Sequence, residues 1–388
     1  MAHIKLKDVI NRVQTKVDKD NTSLIYYVGG EHIESENVCI TKRGLIEGST
    51  IGPMFYYGFK AGDFLLVSRN PHLKKAGVVG FEGICSEKTF VLATANSEVL
   101  LPEYLPFILQ NDTFWEYAYQ HRHGSTNTFI NWSTLANYEF ELPNIEIQRK
   151  LAEILWAIND TMESYKRLIL ATDELVKSQF IEWFGDPAWN TLKLPISTIG
   201  QETECIVAGQ CLNGSPGVLR QGEKAVLKVS AVTYGYFKED EYKVLYDVKQ
   251  VSKGICPMKG DLLFSRANTR EYVGATALID EDYPNLFLPD KLWKLVFKES
   301  IHPVFAKHFL SHPSMRKVLS EMATGTSGSM YNISMDKLRS LKIIVPNHSA
   351  QEQFVEFARQ SDKSKFELEQ ALSELTATYK RIISEQLG

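Results

Sequence analysis

Apolar residues recur at heptad spacing over two stretches of the chain. From position 151 the spacing alternates between four and three residues as far as 183, and a shift of 203 residues gives a second such stretch from 354 to 386. This pattern is typical of a coiled-coil seam. It predicts two long helices that bury their seams against each other as an antiparallel pair. The apolar seam residues are Leu151, Leu155, Ile158, Met162, Tyr165 and Ile169 in the first helix, and Phe354, Leu368, Leu372, Leu375, Tyr379 and Ile382 in the second.

The ends of these helices and one defect in the second seam can also be predicted. Pro143 and Pro346 indicate that each helix begins in the residues that follow, and Gly185 indicates the end of the first. The second seam is interrupted at Ser361 and Lys365, which predicts weaker packing or a polar partner there. A helix of about 36 residues is roughly 54 Å long. The pair would therefore hold two globular domains at opposite ends of a rod.

Four landmarks recur in the same order outside the seams, which indicates an internal repeat. "LIYYVGGEHI" (24–33) corresponds to "VLKVSAVTYG" (226–235), and "GDFLLVSR" (62–69) corresponds to "GDLLFSR" (260–266). "GSTNTFINWS" (124–133) corresponds to "GTSGSMYNIS" (325–334), and "LPNIEIQ" (142–148) to "VPNHSAQ" (345–351). The duplication predicts two equivalent units related by a pseudo-twofold axis.

Shorter patterns define the expected fold class, which is α+β. Apolar runs such as "GDFLLVSR", "GVVGF", "AVLKVSAV" and "KLWKLVF" predict strands, and residues 102–120 and 303–322 predict amphipathic helices after a proline. We expect two mixed α/β domains at 1–143 and 187–345. The two spacer helices would occupy 144–186 and 346–388.

Composition narrows the class of protein. With 44% hydrophobic and 23% charged residues the chain is a globular protein, and it has neither an apolar run long enough to cross a bilayer nor a signal-peptide pattern, so we expect a cytoplasmic location. Residues 1–147 hold 13 basic against 17 acidic residues, and 187–347 hold 20 against 16. Any nucleic-acid surface must therefore be a local patch. Five scattered cysteines without a Cys-x-x-Cys pair predict reduced, structural thiols.

Catalytic motifs are missing from the sequence. It has no phosphate-binding loop, dinucleotide fingerprint, serine elbow or amino-methyltransferase motif. His308 and His312 lie four residues apart without a third ligand, so we predict no metal site. Asp63 and Asp261 each follow a turn glycine, where a bond to the local backbone is favoured over a nuclease role. His121 and His123 could contact an anion or could be solvated.

The order of these features resembles the specificity subunit of type I restriction-modification systems. Two divergent halves each close with a proline, a glutamine five residues later and a long helix, and "GDLLFSRAN", "GTSGSMYNISMDKLRSLKIIVP" and "LVKSQFIEWFGDP" are the most similar stretches. The resemblance covers essentially the whole chain. It implies that each half is a target recognition domain for one part of a bipartite double-stranded DNA target, and that the chain itself is non-catalytic.

The resemblance also implies partners. Two methyltransferase subunits would dock on the helices, carry S-adenosylmethionine and methylate adenine at N6, and restriction subunits would join to cleave unmodified DNA. This chain would bind no cofactor. Two alternatives remain at this point: a DNA methyltransferase or nuclease with an unrecognised active site, and an orphan DNA-recognition scaffold.

The repeat sorts the candidate DNA contacts. Residues shared between the halves should contact phosphates or build the fold, whereas divergent residues should read bases. The shared set is Ser68 and Arg69 with Ser265 and Arg266. An equal alternative to a phosphate contact is that each arginine pairs with a nearby carboxylate and so fixes the turn. The divergent set is Asn70, Lys74 and Lys75 with Asn268, Thr269, Arg270 and Tyr272. The loop set is Arg122, Ser125, Thr126 and Asn127 with Thr326, Ser327 and Ser329; solvated loops without a ligand are the alternative.

The surfaces of the helices carry a further group of cations. Arg149, Lys150, Lys166 and Arg167 are expected either in solvent or against a partner subunit.

Overall fold

The computed structural model describes residues 2–246, 251, 254–325 and 330–387. The chain forms two compact units, one comprising Met1–Arg167 and Leu368–Gly388 and the other comprising Leu168–Glu367. Each unit combines strands with helices, so the α+β expectation is confirmed. Within the described residues, no helix is long and apolar enough to span a membrane.

The two long helices are α5 (Ile145–Phe184) and α10 (His348–Leu387), numbered in chain order. Each helix begins two residues after its proline, as predicted. An asparagine caps each start: Asn144 Oδ1 accepts a hydrogen bond from the Ile147 amide at 3.0 Å, and Asn347 Oδ1 accepts one from the Ala350 amide at 2.8 Å. Gly185 ends α5 at a φ of +72°, a left-handed conformation that favours glycine. Each helix contributes one half to each unit.

All twelve apolar seam residues are buried or half-buried. In the first unit Thr376 donates a hydrogen bond to Met162 Sδ, and in the second Lys365 contacts Asp173, so residue numbers fall along α10 as they rise along α5. The helices are therefore antiparallel. At the interruption of the seam, Lys365 has a polar partner: its Nζ lies 2.8 and 2.9 Å from the two carboxylate oxygens of Asp173.

Within its described residues, the first unit contains eleven strands and four short α-helices besides its halves of α5 and α10. The strands are β1 (Ala2–Lys5), β2 (Ile10–Val13), β3 (Tyr26–Val28), β4 (Cys39–Ile40), β5 (Gly44–Leu45), β6 (Phe55–Phe59), β7 (Phe64–Val67), β8 (Ala76–Val79), β9 (Gly83–Ser86), β10 (Thr89–Thr94) and β11 (Glu139–Leu142). The helices are α1 (Leu6–Val9), α2 (Leu105–Leu109), α3 (Asp112–Gln120) and α4 (Trp132–Leu135).

The described part of the second unit follows a similar order, with twelve strands and four short α-helices. The strands are β12 (Ile196–Thr198), β13 (Thr203–Ala208), β14 (Gly214–Ser215), β15 (Ala225–Leu227), β16 (Tyr242–Leu245), β17 (Leu262–Ser265), β18 (Ala267–Asn268), β19 (Thr276–Leu278), β20 (Leu286–Phe287), β21 (Leu292–Phe297), β22 (Tyr331–Asn332) and β23 (Lys342–Ile344). The helices are α6 (Ile199–Glu202), α7 (Pro303–Ser311), α8 (Pro313–Met322) and α9 (Met335–Ser340).

The main sheets of the two units share the order of their first four strands, and the first sheet has β4 as a fifth. The first runs β2-β10-β7-β8-β4 and the second β13-β21-β17-β19. In each, the strand that follows the Gly-Asp turn lies centrally, antiparallel to both neighbours. The apolar core of each unit packs this sheet against the paired helices that follow it and against parts of α5 and α10.

Three predicted elements are shorter in the structure. The helix predicted over 102–120 is divided into α2 and α3, because Asn111 caps α3 by accepting from the Thr113 amide. The helix predicted over 303–322 is divided at His312, which caps α8 in the same way before Pro313. The strand predicted from "AVLKVSAV" ends at Leu227, and Val229–Val232 forms a 3-10 helix.

A buried glutamine connects each long helix to its unit. Gln148 donates to the Pro143 and Val99 carbonyls at 2.8 Å and accepts from the Leu101 amide at 3.0 Å. Gln351 makes the same three bonds, all at 2.9 Å, to Pro346, Ser300 and His302. The proline and the glutamine five residues later therefore hold the start of the helix against the loop that precedes α2 or α7.

Candidate nucleic-acid interface

In each unit the central strand leaves the sheet and pairs with the loop segment that follows the helices. In the first unit the Ile130 amide donates to Ser68 O at 2.9 Å and the Asn70 amide to Thr128 O at 2.7 Å. In the second, Ile333 donates to Arg266 O at 2.9 Å, and β18 pairs with β22. The structure thus brings the strand end and the predicted loop residues side by side in the first unit. In the second unit it pairs the strand end with the segment that follows the loop.

The hydrogen-bond register corrects the alignment of the two phrases. Phe64 and Leu262 occupy equivalent places in their sheets, and so do Val67 and Ser265, which pair with Thr89 and Leu292 respectively. The offset of 198 residues therefore holds beyond the strands. It places Ser68 opposite Arg266, Arg69 opposite Ala267 and Asn70 opposite Asn268.

The Ser-Arg pairs are consequently not equivalent residues, although their letters match. "GDFLLVSR" is one residue longer than "GDLLFSR", and a one-residue shift turns a side chain to the other face of a strand. The inference that Ser68 and Arg69 are shared with Ser265 and Arg266 is therefore wrong. The shared residue is the asparagine, Asn70 or Asn268.

The two serines are inside the fold. Ser68 is buried and its hydroxyl donates to Lys88 O at 2.7 Å, while Ser265 is fully buried within β17. A buried hydroxyl bonded to a carbonyl cannot reach a phosphate without breaking that bond. This geometry favours a structural role for both serines.

The two arginines differ in their surroundings. Arg266 is half-buried; its Nε donates to Asp290 O at 3.0 Å, its guanidinium lies 3.8 Å from the Asp290 carboxylate, and it stands over the Trp293 ring. Arg69 is exposed, and within the described part of the chain its side chain has neither an ion pair nor a hydrogen bond. The arginine–carboxylate pair considered for this phrase therefore holds for Arg266 and not for Arg69.

Arg69 lies in a surface cleft of about 380 Å³ in the first unit. The cleft is lined by Arg12, Ser68, Arg69, Glu87, Lys88, Phe90, Asn127, Phe129, Ile130, Asn131 and Trp132. It combines three cations, one carboxylate, two amides and exposed aromatic edges. This is the chemistry that nucleic-acid surfaces of proteins use.

The loop beside this cleft presents small polar side chains. Ser125, Thr126 and Asn127 are exposed, and reciprocal bonds between His123 and Phe129, at 2.7 and 2.9 Å, close the loop at its base. Gly124 has a φ of +85°. Thr326, Ser327 and Ser329 of the second unit lie outside the described residues.

The remaining divergent residues of the first unit are engaged within the protein. Lys74 Nζ lies 2.6 Å from Asp112 and 3.0 Å from Glu36, and Lys75 Nζ donates to Gly30 O at 2.6 Å. Arg122 donates to Tyr119 O at 2.5 Å and stacks on the Tyr119 ring. These cations would have to exchange internal partners to bind DNA, whereas Arg69 would not.

In the second unit the divergent residues border an exposed aromatic surface. Thr269 and Arg270 are exposed, the Arg270 guanidinium lies 5.7 Å from the Tyr331 ring, and Asn268 Nδ2 donates to Thr233 Oγ1 at 3.4 Å. Tyr272 lies edge-on to Tyr234, with ring centroids 6.1 Å apart. Glu271, followed by burial, raises the pKa of Tyr272, so this hydroxyl remains a hydrogen-bond donor at neutral pH.

The residues at the centre of this exposed aromatic surface were not predicted from the sequence. Tyr234 and Tyr236 are 59% and 55% exposed, and Lys238 Nζ lies 4.6 and 5.5 Å from their rings. The signal was the alternation in "TYGYFK", which places two tyrosines and a lysine on one side of a turn. We call Tyr234, Tyr236, Lys238 and Tyr272 the tyrosine surface.

The aspartates of the two Gly-Asp turns have the structural role expected from the sequence. Asp63 accepts from the Lys60 amide at 2.9 Å, and Asp261 accepts from the Met258 amide at 2.7 Å and forms an ion pair with Lys294 at 2.6 Å. Burial is the main cause that raises the pKa of Asp63, against the opposing Lys60 hydrogen bond.

The two histidines of the second unit are also structural. Burial lowers the pKa of His308 to about 3, and His312 Nδ1 accepts from the Ser314 amide as a helix cap. No cluster of three or more potential metal ligands occurs among the residues that the structure describes.

The outward cations of α5 are exposed. Lys166 lies 2.7 Å from Glu163, and Arg167 donates to Ser164 Oγ, whereas Arg149 and Lys150 make no side-chain bond within the described ranges. Leu168 and Leu170 are 50% and 66% exposed on the same helix.

Comparison with known proteins supports the resemblance seen in the sequence. The model of the type I restriction modification DNA specificity domain matches residues 211–376. The specificity subunit of the type I restriction enzyme EcoEI from Escherichia coli is 28% identical over 122 residues, 31% of this chain and 20% of that protein. That of HindI from Haemophilus influenzae is 23% identical over 99 residues, 25% and 22% of the two chains. The matched region thus spans about a fifth of each relative.

Solved structures share the fold along the whole chain. The S subunit of a type I restriction-modification system from M. genitalium has a TM-score of 0.62 at 14% identity, over 98% of this chain and 94% of that one. A chain from a structure of type I R-M complex assembly and conformational transition has a TM-score of 0.56 at 18% identity, over 99% and 96%. The resemblance to specificity subunits is therefore confirmed, and residues 211–376 match the model of the type I restriction modification DNA specificity domain.

Proposed function

We propose that this chain is the sequence-specific DNA-binding subunit of a type I restriction-modification complex. Each unit would read one half of a bipartite DNA target, and the complex would direct N6-adenine methylation and restriction by partner subunits. The observation that carries the proposal is the duplicated strand end: in both units it pairs with an equivalent segment, 128–130 or 331–333, and carries different side chains on the same backbone register.

Different side chains on one frame suit the reading of two unrelated half-sites. The first surface offers Arg69 and Asn127, whose side chains can bond to base edges in the major groove. The second offers Asn268, Thr269 and Arg270 beside the tyrosine surface. Cations and aromatic rings together suit a polyanion with stacked bases.

The long helices would set the spacing between the half-sites. Heptad seams are typical of coiled coils, and two linked readers recognise half-sites at a spacing that their geometry allows. Leu168 and Leu170, together with Arg149 and Lys150, present apolar and cationic side chains outward. We propose that these faces dock two methyltransferase subunits, which would hold S-adenosylmethionine.

Mapping of N6-methyladenine in host DNA by long-read sequencing tests the proposal directly. Deletion of the gene should abolish methylation at one bipartite motif and leave other motifs unchanged. Persistence of every methylated motif after deletion would overturn the proposal. The purified chain should neither bind S-adenosylmethionine nor cleave DNA, since either activity would favour an enzyme.

Insertion of one heptad within 151–183 tests the role of the helices. The unread spacer should lengthen while both half-site sequences stay the same. An altered half-site would show that the helices do more than space the domains. Co-purification with products of neighbouring genes tests the partners, and failure to recover a methyltransferase would favour an orphan scaffold.

A further inference from the structure

The shift between the two phrases places an arginine where the units differ. Arg69 lies opposite Ala267, so its side chain has no counterpart in the second unit. We propose that Arg69 reads a base in the half-site of the first unit and that this base is guanine. The inference rests on the proposed function, because it assigns one contact within the proposed DNA surface.

Among the described residues that line its cleft, Arg69 is the cation whose side chain has no hydrogen bond, ion pair or ring contact. Arg12 lies 4.7 Å from the Phe90 ring centroid, and Lys88 forms an ion pair with Glu87. The Glu87 carboxylate also accepts from the Tyr56 hydroxyl at 2.9 Å. Within the described ranges no hydrogen bond or ion pair holds the Arg69 guanidinium. After the stronger effects of Lys88 and Tyr56, its charge helps to lower the pKa of Glu87, so DNA binding would break no internal bond and would only weaken this longer-range attraction.

The backbone on both sides of Arg69 is held in place. Ser68 O accepts from the Ile130 amide and the Asn70 amide donates to Thr128 O, at 2.9 and 2.7 Å. Asn70 adopts a φ of +50°, a conformation that asparagine tolerates better than most residues. An exposed side chain on a fixed backbone approaches a base edge in a defined direction, which is what discrimination between bases requires.

The comparison of the units favours a base over a phosphate. The phosphate backbone is chemically the same at both half-sites, so a shared positioning contact would be expected at the same place in both units. Alanine in the second unit cannot make it. The planar guanidinium can donate two parallel hydrogen bonds to the N7 and O6 acceptors of guanine in the major groove.

The test is selection of bound duplexes from a library with randomised half-sites, at one fixed salt concentration. It uses the purified full chain and the variants R69A and R69K. Wild-type protein should enrich a bipartite sequence with guanine at one position of one half-site. Both variants should lose a roughly tenfold to hundredfold preference for guanine at that position and keep their preference at the other half-site. Alanine has no donor there, and lysine lacks the planar pair of donors that guanidinium offers.

The variant K16A is the control for the loss of one positive charge. It removes an exposed cation of the first unit that does not line the cleft, and the guanine preference should remain. Uniform weakening of binding by R69A across all sequences would overturn the proposal in favour of a phosphate contact. An unchanged preference in R69A would overturn it too. If wild-type protein enriches no bipartite sequence, the proposed function itself fails.

Discussion

The two units hold the same aspartate in the same turn but surround it differently. Asp63 accepts one backbone hydrogen bond, whereas Asp261 accepts the equivalent bond and also forms an ion pair with Lys294. Val91 lies opposite Leu65 in the first sheet, as Lys294 lies opposite Leu263 in the second. Val91 and Lys294 occupy equivalent positions on β10 and β21. The backbone bond is therefore the common requirement of the turn, and the charge partner belongs to one unit only.

The same division applies to the rest of each unit. The buried glutamine, the turn and the order of the central strands are duplicated, while the side chains at the strand ends differ. A repeated frame can thus carry two unrelated surfaces, because frame bonds are made by backbone and buried groups. Experiments on equivalent residues measure how far this separation holds.

The largest effect is expected from the glutamines. Gln148→Leu and Gln351→Leu should each lower the free energy of unfolding by about 3 kcal/mol, since each leaves one amide and two carbonyls without their partner. Urea denaturation checks the size, and hydrogen exchange shows which unit is affected. Gln353→Leu, at an exposed position of α10, should change stability by less than about 0.5 kcal/mol.

The two glutamines hold their helices equivalently only if both variants lose a similar free energy of unfolding. A loss below about 1 kcal/mol in one unit alone would show that its helix is held by other contacts.

The parts of the fold that could be predicted are those encoded locally. The helix bounds follow from Pro143, Pro346 and Gly185, and the seam from heptad spacing. The helix breaks at Asn111 and His312 were missed, because a single capping side chain outweighs a continuous apolar pattern there.

The candidate surface was predicted only in part. The neighbourhood of strand end and loop follows from the repeat, but the register does not, because partner strands and not matching letters decide which residues are equivalent. Arg69 and Arg266 look identical in the sequence and differ in the fold. The tyrosine surface was missed since exposed tyrosines follow no period that marks an element.

The second largest effect is expected from Asp261→Asn. It removes the carboxylate from Lys294, whose side chain is only 15% exposed, and should destabilise the chain by about 2 kcal/mol in urea denaturation. Adding Lys294→Val recreates the arrangement of the first unit and should restore most of the loss. A double variant as unstable as the single one would show that the ion pair is not what separates the two turns.

A smaller, pH-dependent effect is expected from Asp63→Asn. Because burial raises the pKa of Asp63 above its ordinary value of 3.8, the ionised carboxylate is disfavoured in the folded state. The free energy of unfolding of the wild type should therefore decline relative to that of the variant as the pH rises from 3.8 through the raised pKa of Asp63. Above that pKa, the difference between the two free energies should stay constant. Unfolding free energies measured across this range check the sign. If wild-type stability instead rises relative to the variant as the pH rises, the hydrogen bond from the Lys60 amide stabilises the carboxylate more than burial disfavours it.

The smallest effect is expected at the interrupted seam, where Met162 of the first unit is replaced by Lys365 in the second. The Lys365–Asp173 pair is partly exposed, with side chains 28% and 42% accessible, so its coupling energy should be only about 0.5 kcal/mol. A double-mutant cycle with K365A and D173A measures it, and a cycle of D173A with K363A, at an exposed neighbour, should give a coupling near zero. A coupling energy of zero in the first cycle would mean that the seam tolerates Lys365 through the packing of its aliphatic stem alone. The two halves of the coiled coil would then differ in packing rather than in charge.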